Sequence, residues 1–392
     1  MHKSNVLSSL SFGLFLVFIL VTAASAGYGA SPETAVSQSI SRVTDDHLIF
    51  LPMITNPYPP QHKIVFASTY ETGGAYDIFL MNTDGTGLQN LTNTPDRSET
   101  SPVWSPDGTM IAYISTEGSG LSGDIYIMDA NGGNQRNVSQ DATSDNIELV
   151  WAPDSSRLAF VSDMGNDWYV FDIFVANSDG SGLSNVTNTS NLSERVPHWS
   201  SDGRQIVFTS DRSLNTGSVH NSIVKVNADG SGKTAVYADN DGDNFWPQWL
   251  PHQSKISFVK EPTNPGCLYT INSDGSGGSC VTQFPGLYIA GKNRWNSAGT
   301  KLLLQGYDPL EDYWQYLYTF DLGTGQIQKL VLCSPYSTFD WSPDESQIVY
   351  VAREAYKSNI FIANSDGSAP QNLTGTLNSE NRDPDWSPVI IP

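Results

Sequence analysis

Histidine, cysteine and positive charge are all scarce in this chain, and each scarcity excludes something. Three cysteines, Cys267, Cys280 and Cys333, do not have the spacing of a zinc site. Of six histidines, His2, His47 and His62 precede the repeats described below, and His198, His220 and His252 are scattered among them. Neither a G-x-S-x-G elbow nor an H-E-x-x-H pair occurs, so the sequence carries no common hydrolase or zinc-peptidase signature. Twenty Lys and Arg stand against 41 Asp and Glu, for a formal net charge of -21. Such a surface repels phosphate backbones and anionic headgroups, which excludes nucleic acid as the expected partner. It permits a cationic partner or a divalent ion, and it equally serves to keep an exported protein in solution.

Long apolar runs are also missing, with one exception at residues 10–21, LSFGLFLVFILV. It follows Lys3, precedes Ala24-Ser25-Ala26, and is short for a membrane span. Residues 1–26 therefore read as a signal peptide, or as an anchor if uncleaved, the only route by which a membrane enters the expectation. A Ser/Pro/Thr-rich leader, expected to be flexible, fills 27–62. Its apolar island, residues 48–54, is either a docking strand or part of a tether.

What the chain does have is repetition. Trp104, Trp151, Trp199, Trp249, Trp295, Trp341 and Trp386 recur at spacings of 47, 48, 50, 46, 46 and 45 residues. A short β-rich segment follows each turn: KIVFAS, MIAYIS, RLAFVS, QIVFTS, KISFVK, KLLLQG and QIVYVA. A second turn recurs as NTDGTG, DANGG, NSDGSG, NADGSG, NSDGSG, DLGTG and NSDGS. A period near 45 with four short strands per unit predicts an all-β fold, a seven-bladed β-propeller over residues 63–392. The first repeat lacks its Trp strand, and the last stops just after Trp386. The C-terminal strand is therefore expected to complete the N-terminal blade, leaving no open edge.

The W-S-P-D-G, I-x-F-x-S, D-I-Y-x-M-N and A-D-G-S-G segments resemble TolB-type, WD-like propeller repeats over residues 63–388. Degraded copies occur at Trp151-Ala152-Pro153-Asp154-Ser155, Trp249-Leu250-Pro251-His252 and Trp295-Asn296-Ser297-Ala298-Gly299. The family's TolB has six blades and an N-terminal α/β domain, for which the residues before the first repeat are too few. The resemblance implies a rigid platform for protein partners. Some relatives build lyases or peptidase domains on the same repeat, and a metal-dependent lyase would need clustered histidines that this pattern does not supply.

The repeated Trp and Asp-Gly positions read as structural. Aligned repeats set Cys267 and Cys280 on adjacent strands, where they can form a disulfide or stay reduced. Five residues before successive tryptophans come Glu99, Asn146, Glu194 and Asn244, with Asn381 at the closing repeat. They are expected at the channel mouth, either holding a cation or polar ligand or capping loop backbone. Asp239, Asp241 and Asp243 resemble part of a calcium loop, the one cofactor the sequence allows, but Leu250 stands where the closing Glu belongs. The irregular loops gather on one face, among them Trp168-Tyr169 and residues 212–220 and 307–316. The function expected is an exported, monomeric, non-enzymatic binding scaffold for an unidentified protein or glycan. The alternative is a carbohydrate-active lyase or hydrolase.

Overall fold

The computed structural model describes residues 38–44, 47–52 and 62–391, except for short stretches at 118–121, 141–143, 166–169, 190, 212–219, 240–241, 262–265, 285, 309–313, 336 and 355. The signal segment lies outside the described residues. The leader, expected to be flexible, contains a hairpin: Gln38–Thr44 pairs antiparallel with His47–Pro52, setting Ile40 against Phe50 and Val43 against Leu48. β-Branched and aromatic residues on both segments favour that extended pairing.

Residues 62–391 form seven four-stranded antiparallel sheets, the blades of a propeller. Blade 2 shows the plan: an inner strand Arg97–Trp104, then Met110–Glu117, Gly123–Asp129 and a short outer strand Arg136–Asn137. The second strands read as nearly continuous apolar runs and not as alternating ones. Residues 64–68 and 158–162, for example, are buried without a break. Both faces of each blade pack against a neighbour, so neither face can be polar. Seven buried clusters result, one at each junction between blades. Each repeat tryptophan sits at the junction with the preceding blade. Trp104, for instance, packs with Val65 and Leu80 of blade 1 and Ile111 of its own blade.

Closure follows the expected route. Blade 1 is ordered Asn381–Trp386, Lys63–Ser68, Asp77–Asn82, Gln89–Asn90, with Ile64 opposite Trp386 and Ser68 opposite Asn381. Ser387 fastens the seam: its N–H donates to Lys63 O at 2.8 Å, and its Oγ accepts from Lys63 N at 2.8 Å.

The turn residues act locally. Asp107 Oδ1 accepts from Thr109 N at 3.0 Å and from Ser105 Oγ at 2.7 Å, which holds its carboxyl below the usual range against the opposing effect of burial. Gly108 occupies φ 70°, and Ser155 and Glu345, also four residues after their tryptophans, are held in the same left-handed region at 60° and 59°.

The N-L-T and N-V-S/T sequons are also structural. Asn90, Asn137 and Asn185 donate to Asp77, Asp124 and Asp172 of the adjacent strand at 2.5, 2.8 and 2.7 Å. In blade 5 the equivalent pair is Cys267 and Cys280, which are joined as a disulfide with Cα atoms 6.0 Å apart. A covalent link thus stands where three other blades use a carboxylate–amide hydrogen bond, and Cys333 is buried and free. Reduction, or a Cys267→Ser/Cys280→Ser double variant, is expected to cost roughly 3 kcal/mol of unfolding free energy for a loop this short. Denaturant midpoints with and without reductant measure it, and coincident midpoints would contradict the expectation.

Candidate functional site

The inner strands build the channel wall, and they are not regular. In blade 2, Thr100 opposes Ile114 but Val103 opposes Ala112, so the inner strand carries one residue more than its partner. The same bulge recurs between Ile147 and Val150, Arg195 and His198, and Phe245 and Gln248. It recurs again where Arg382 opposes Ala67 but Asp385 opposes Val65, and two extra residues stand between Ile289 and Asn293. The bulged residue three before the tryptophan adopts positive φ: Ser101 53°, Glu148 53°, Val196 56°, Trp246 52° and Asp383 54°. For a β-branched Val this backbone is a true outlier, and such positions persist only where the surroundings hold them. A sequence signal for the bulge exists in Pro102, Pro197, Pro247 and Pro384, each two residues before a tryptophan. Proline lacks the ladder donor and inside a sheet is confined to edges and bulges.

The bulge corrects the expected polar ring. One extra residue inverts the in–out alternation upstream of it, so the fifth residue before the tryptophan turns away from the channel. Glu99, Asn146, Glu194, Asn244 and Asn381 are each at most 1% exposed, and none lines the channel. Their partners are local. Asn146 Nδ2 donates to Gly123 O at 2.7 Å, Asn244 Nδ2 to Asn221 O at 2.7 Å, and Asn381 Nδ2 to Ser358 O at 3.2 Å. Thr94 Oγ1 donates to Glu99 at 2.6 Å, and Thr189 Oγ1 to Glu194 at 2.8 Å. These are the contacts of loop caps.

Two of the five carry a titration consequence. Burial first, then the neighbouring Asp172, pushes Glu194 up to about 8, and burial with Asp77 likewise raises Glu99. A folded-state value above the unfolded one means the native protein binds the proton more tightly. The contribution is therefore fully present below about pH 4.5 and is lost as pH rises through about 8. Glu194→Gln mimics the protonated acid. It is expected to melt like the parent at pH 4.5 and to gain on the order of 1–3 kcal/mol over it by pH 9. Melting curves across that range test this, and a pH-independent difference would contradict it.

The cavity lies elsewhere, along the channel. About 380 Å³ is enclosed by the inner strands, and its charged lining residues are Glu148, His198, Lys292, Arg294, Asp340 and Asp385. Trp246, Gln248 and the rims of several repeat tryptophans complete the wall. The carboxylates are already engaged. Asp385 Oδ2 accepts from Trp104 N at 2.7 Å, Asp340 Oδ1 from Trp341 N at 2.8 Å, and Glu148 Oε2 from Val196 N at 2.6 Å. Enclosure and the adjacent Asp340 carboxylate raise Asp385, so Asp385 holds its proton above the usual carboxylate range. His198 Nδ1 faces Trp249 N at 3.3 Å, and enclosure with Arg294 lowers the imidazole to about 4, leaving it neutral near pH 7. None of these six residues was singled out as a channel residue from the sequence, although His198, Arg294, Asp340 and Asp385 each stand immediately before a repeat tryptophan, on the side of it that the bulge does not disturb.

The acidic loop is partly accounted for by ion pairs. Asp239 accepts from Tyr237 Oη at 2.6 Å and pairs with the Lys260 ammonium. Asp243 accepts from Asn221 N at 3.0 Å and lies 3.5 Å from His220 Nδ1. Asp241 is outside the described residues, as are Trp168-Tyr169 and most of the loops at 212–220 and 307–316.

Comparison with known proteins agrees with this architecture. The family model described as the TolB beta propeller domain matches residues 53–234. TolB from Acinetobacter baumannii is similar in structure at 18% identity, over 83% of this chain and 82% of that one, with a TM-score of 0.54. An oligogalacturonate lyase in complex with manganese is similar at 15% identity, over 80% of this chain and 85% of that one, with a TM-score of 0.58. A puromycin hydrolase S511A mutant complexed with PGG gives 13% identity and a TM-score of 0.60, over 80% of this chain but 52% of the hydrolase. At these identities the likeness is one of fold.

Proposed function

Because this chain is a member of the TolB-type β-propeller repeat family, we propose that it is an exported, non-enzymatic scaffold that binds a protein or glycan partner on the irregular-loop face, at the mouth of the channel. One observation carries the reading. Five inner strands hold non-glycine residues at positive φ beside a channel of about 380 Å³. Strain maintained repeatedly at one place points to use of that place. The wall combines aromatic surface, from Trp246, with charges of both signs, the composition of a recognition site. Among the described residues, no three His, Cys, Asp or Glu side chains gather around one point as metal ligands.

A second reading has its own support. Asp385, beside Asp340 on the cavity wall, holds its proton above the usual carboxylate range, as a general acid does. Two assays separate the readings. Capture of partners from the native secretome should weaken in Trp246→Ala, while polysaccharides incubated with the parent should stay intact. Turnover that disappears in Asp385→Asn or in His198→Ala would overturn the scaffold reading in favour of the enzyme.

A further inference from the structure

The channel contains an imbalance that its own residues do not resolve. Four acidic side chains border it or its mouth, and each has a backbone donor: Glu148 takes Val196 N, Asp340 takes Trp341 N, Asp385 takes Trp104 N, and Asp383 takes Ser101 N at 3.3 Å. Glu148 and Asp383 are further balanced by the nearby Arg195 and Arg382. The two cations of the wall are in the opposite condition. Lys292 and Arg294 project from one strand, Tyr288–Trp295, into the cavity. Among the described residues, neither side chain has a hydrogen bond or a carboxylate within ion-pair distance.

Three donors on an ammonium and five on a guanidinium are thus left without a protein hydrogen bond at the cavity wall. Lys292 is exposed and Arg294 partly buried, so both keep contact with water, and their donors are open to a ligand that enters the cavity. The two cations stand two residues apart on one strand and repel each other. Enclosure first, then Arg294, holds the Lys292 ammonium below its ordinary value, against the weaker opposing attraction of Glu148 and Asp383. Lys292 is nevertheless reachable by solvent. In a protein of formal net charge -21, a pair of free cations in the central channel is an exception to the overall charge pattern.

We propose that Lys292 and Arg294 form a carboxylate-binding site within the channel, the anchor point for an acidic group carried by the bound partner. This rests on the scaffold reading and names the chemistry of what enters. A carboxylate matches the planar fork of Arg294 in two-point geometry, and the Lys292 ammonium adds a point charge from the same side. Trp246 offers the body of the ligand an aromatic face. Two sources present such a group to an exported protein: the C-terminus of a peptide and an acidic sugar. The recognition chemistry is common to both.

The test is calorimetric titration of the full chain with matched pairs that differ only in the acid. One pair is an N-acetylated tripeptide as free acid and as C-terminal amide, and the other is D-glucuronate and D-glucose. At least one acid is expected to bind while its neutral counterpart does not. Affinity should fall about tenfold or more in Lys292→Met and in Arg294→Gln, and should weaken with added salt. Binding of the peptide acid alone, of glucuronate alone, or of both supports the site and identifies its source. Lys292→Met keeps the aliphatic stem and removes one of two repelling charges, so it should melt no lower than the parent and serves even if Arg294→Gln does not fold. Three results would overturn the site: parent-like affinity in Lys292→Met, neutral counterparts binding as well as the acids, or no acid binding at about 10 mM. Trp246-dependent capture of a partner without carboxylate binding would leave the scaffold standing and remove only this inference. Turnover abolished by Asp385→Asn would do the reverse.

Discussion

Deleting residues 383–392 is expected to abolish the cooperative melt of the propeller, or to leave the chain insoluble. The deleted segment holds most of the inner strand of blade 1. Pairing of Trp386 and Asp385 with Ile64 and Val65 disappears, and the second strand of that blade becomes an open edge. Trp386, 6% exposed, leaves the cluster that it shares with Ile64, Phe66, Val349 and Ile360. Loss of one buried tryptophan side chain alone costs about 3–5 kcal/mol. Asp383 and Asp385 also go, and with them the acceptors for the backbone N–H groups of Ser101 and Trp104 in the next blade. Ser387, which bonds both backbone groups of Lys63, is removed as well. A single domain has only about 5–15 kcal/mol to lose. The unpaired strand then offers KIVFAS as a template for aggregation. Soluble yield and a thermal melt of the truncated chain check this. A truncated protein that melts like the full chain would show that the seam is not what closes the ring.

The fold was legible because a repeat states its pattern many times. Seven tryptophans at near-constant spacing, each followed by turn and strand chemistry, specify blade number and strand order together. Closure was legible for a related reason: the first and last repeats are complementary fragments. The site was less legible. Alternation along a strand assigns faces only if no residue is inserted, and the bulge inserts one. Glu99 and Asn146 were expected at the channel mouth from their place five residues before a tryptophan, a count that takes no account of the inserted residue. Pro102, Pro197, Pro247 and Pro384 marked the insertion, since a proline in an inner strand has no ladder hydrogen to give. The leader hairpin was missed because its two strands have no repeated counterpart to compare with.

The tryptophans themselves yield the second large effect. Trp199 is 3% exposed, packs in the cluster between blades 3 and 4, and lies under the Arg157 guanidinium at 5.0 Å. Its indole N–H donates to Val150 O at 3.2 Å, as that of Trp151 does to Val103 O and that of Trp341 to Arg294 O. The acceptor is each time the residue just before the preceding blade's tryptophan, so the indoles link one blade to the next. The link is interrupted at Trp104, Trp249 and Trp386, whose indole nitrogens are buried and have no acceptor. At the first two, the ionisable residue that precedes the previous tryptophan, Asp385 or His198, faces the backbone N–H instead. Trp199→Ala is therefore expected to cost about 3–5 kcal/mol, from the cavity and lost transfer energy together. Phenylalanine separates the polar contribution from the packing. Trp199→Phe loses a satisfied donor, while Trp249→Phe removes a donor that was never satisfied. The second should be milder than the first by about 1–2 kcal/mol, although the two tryptophans are buried to nearly the same degree, 3% and 6% exposed. Denaturant midpoints of the two Phe variants measure the difference. Equal losses would mean that the indole hydrogen bonds contribute nothing to holding the blades together, and that the tryptophans act by volume alone.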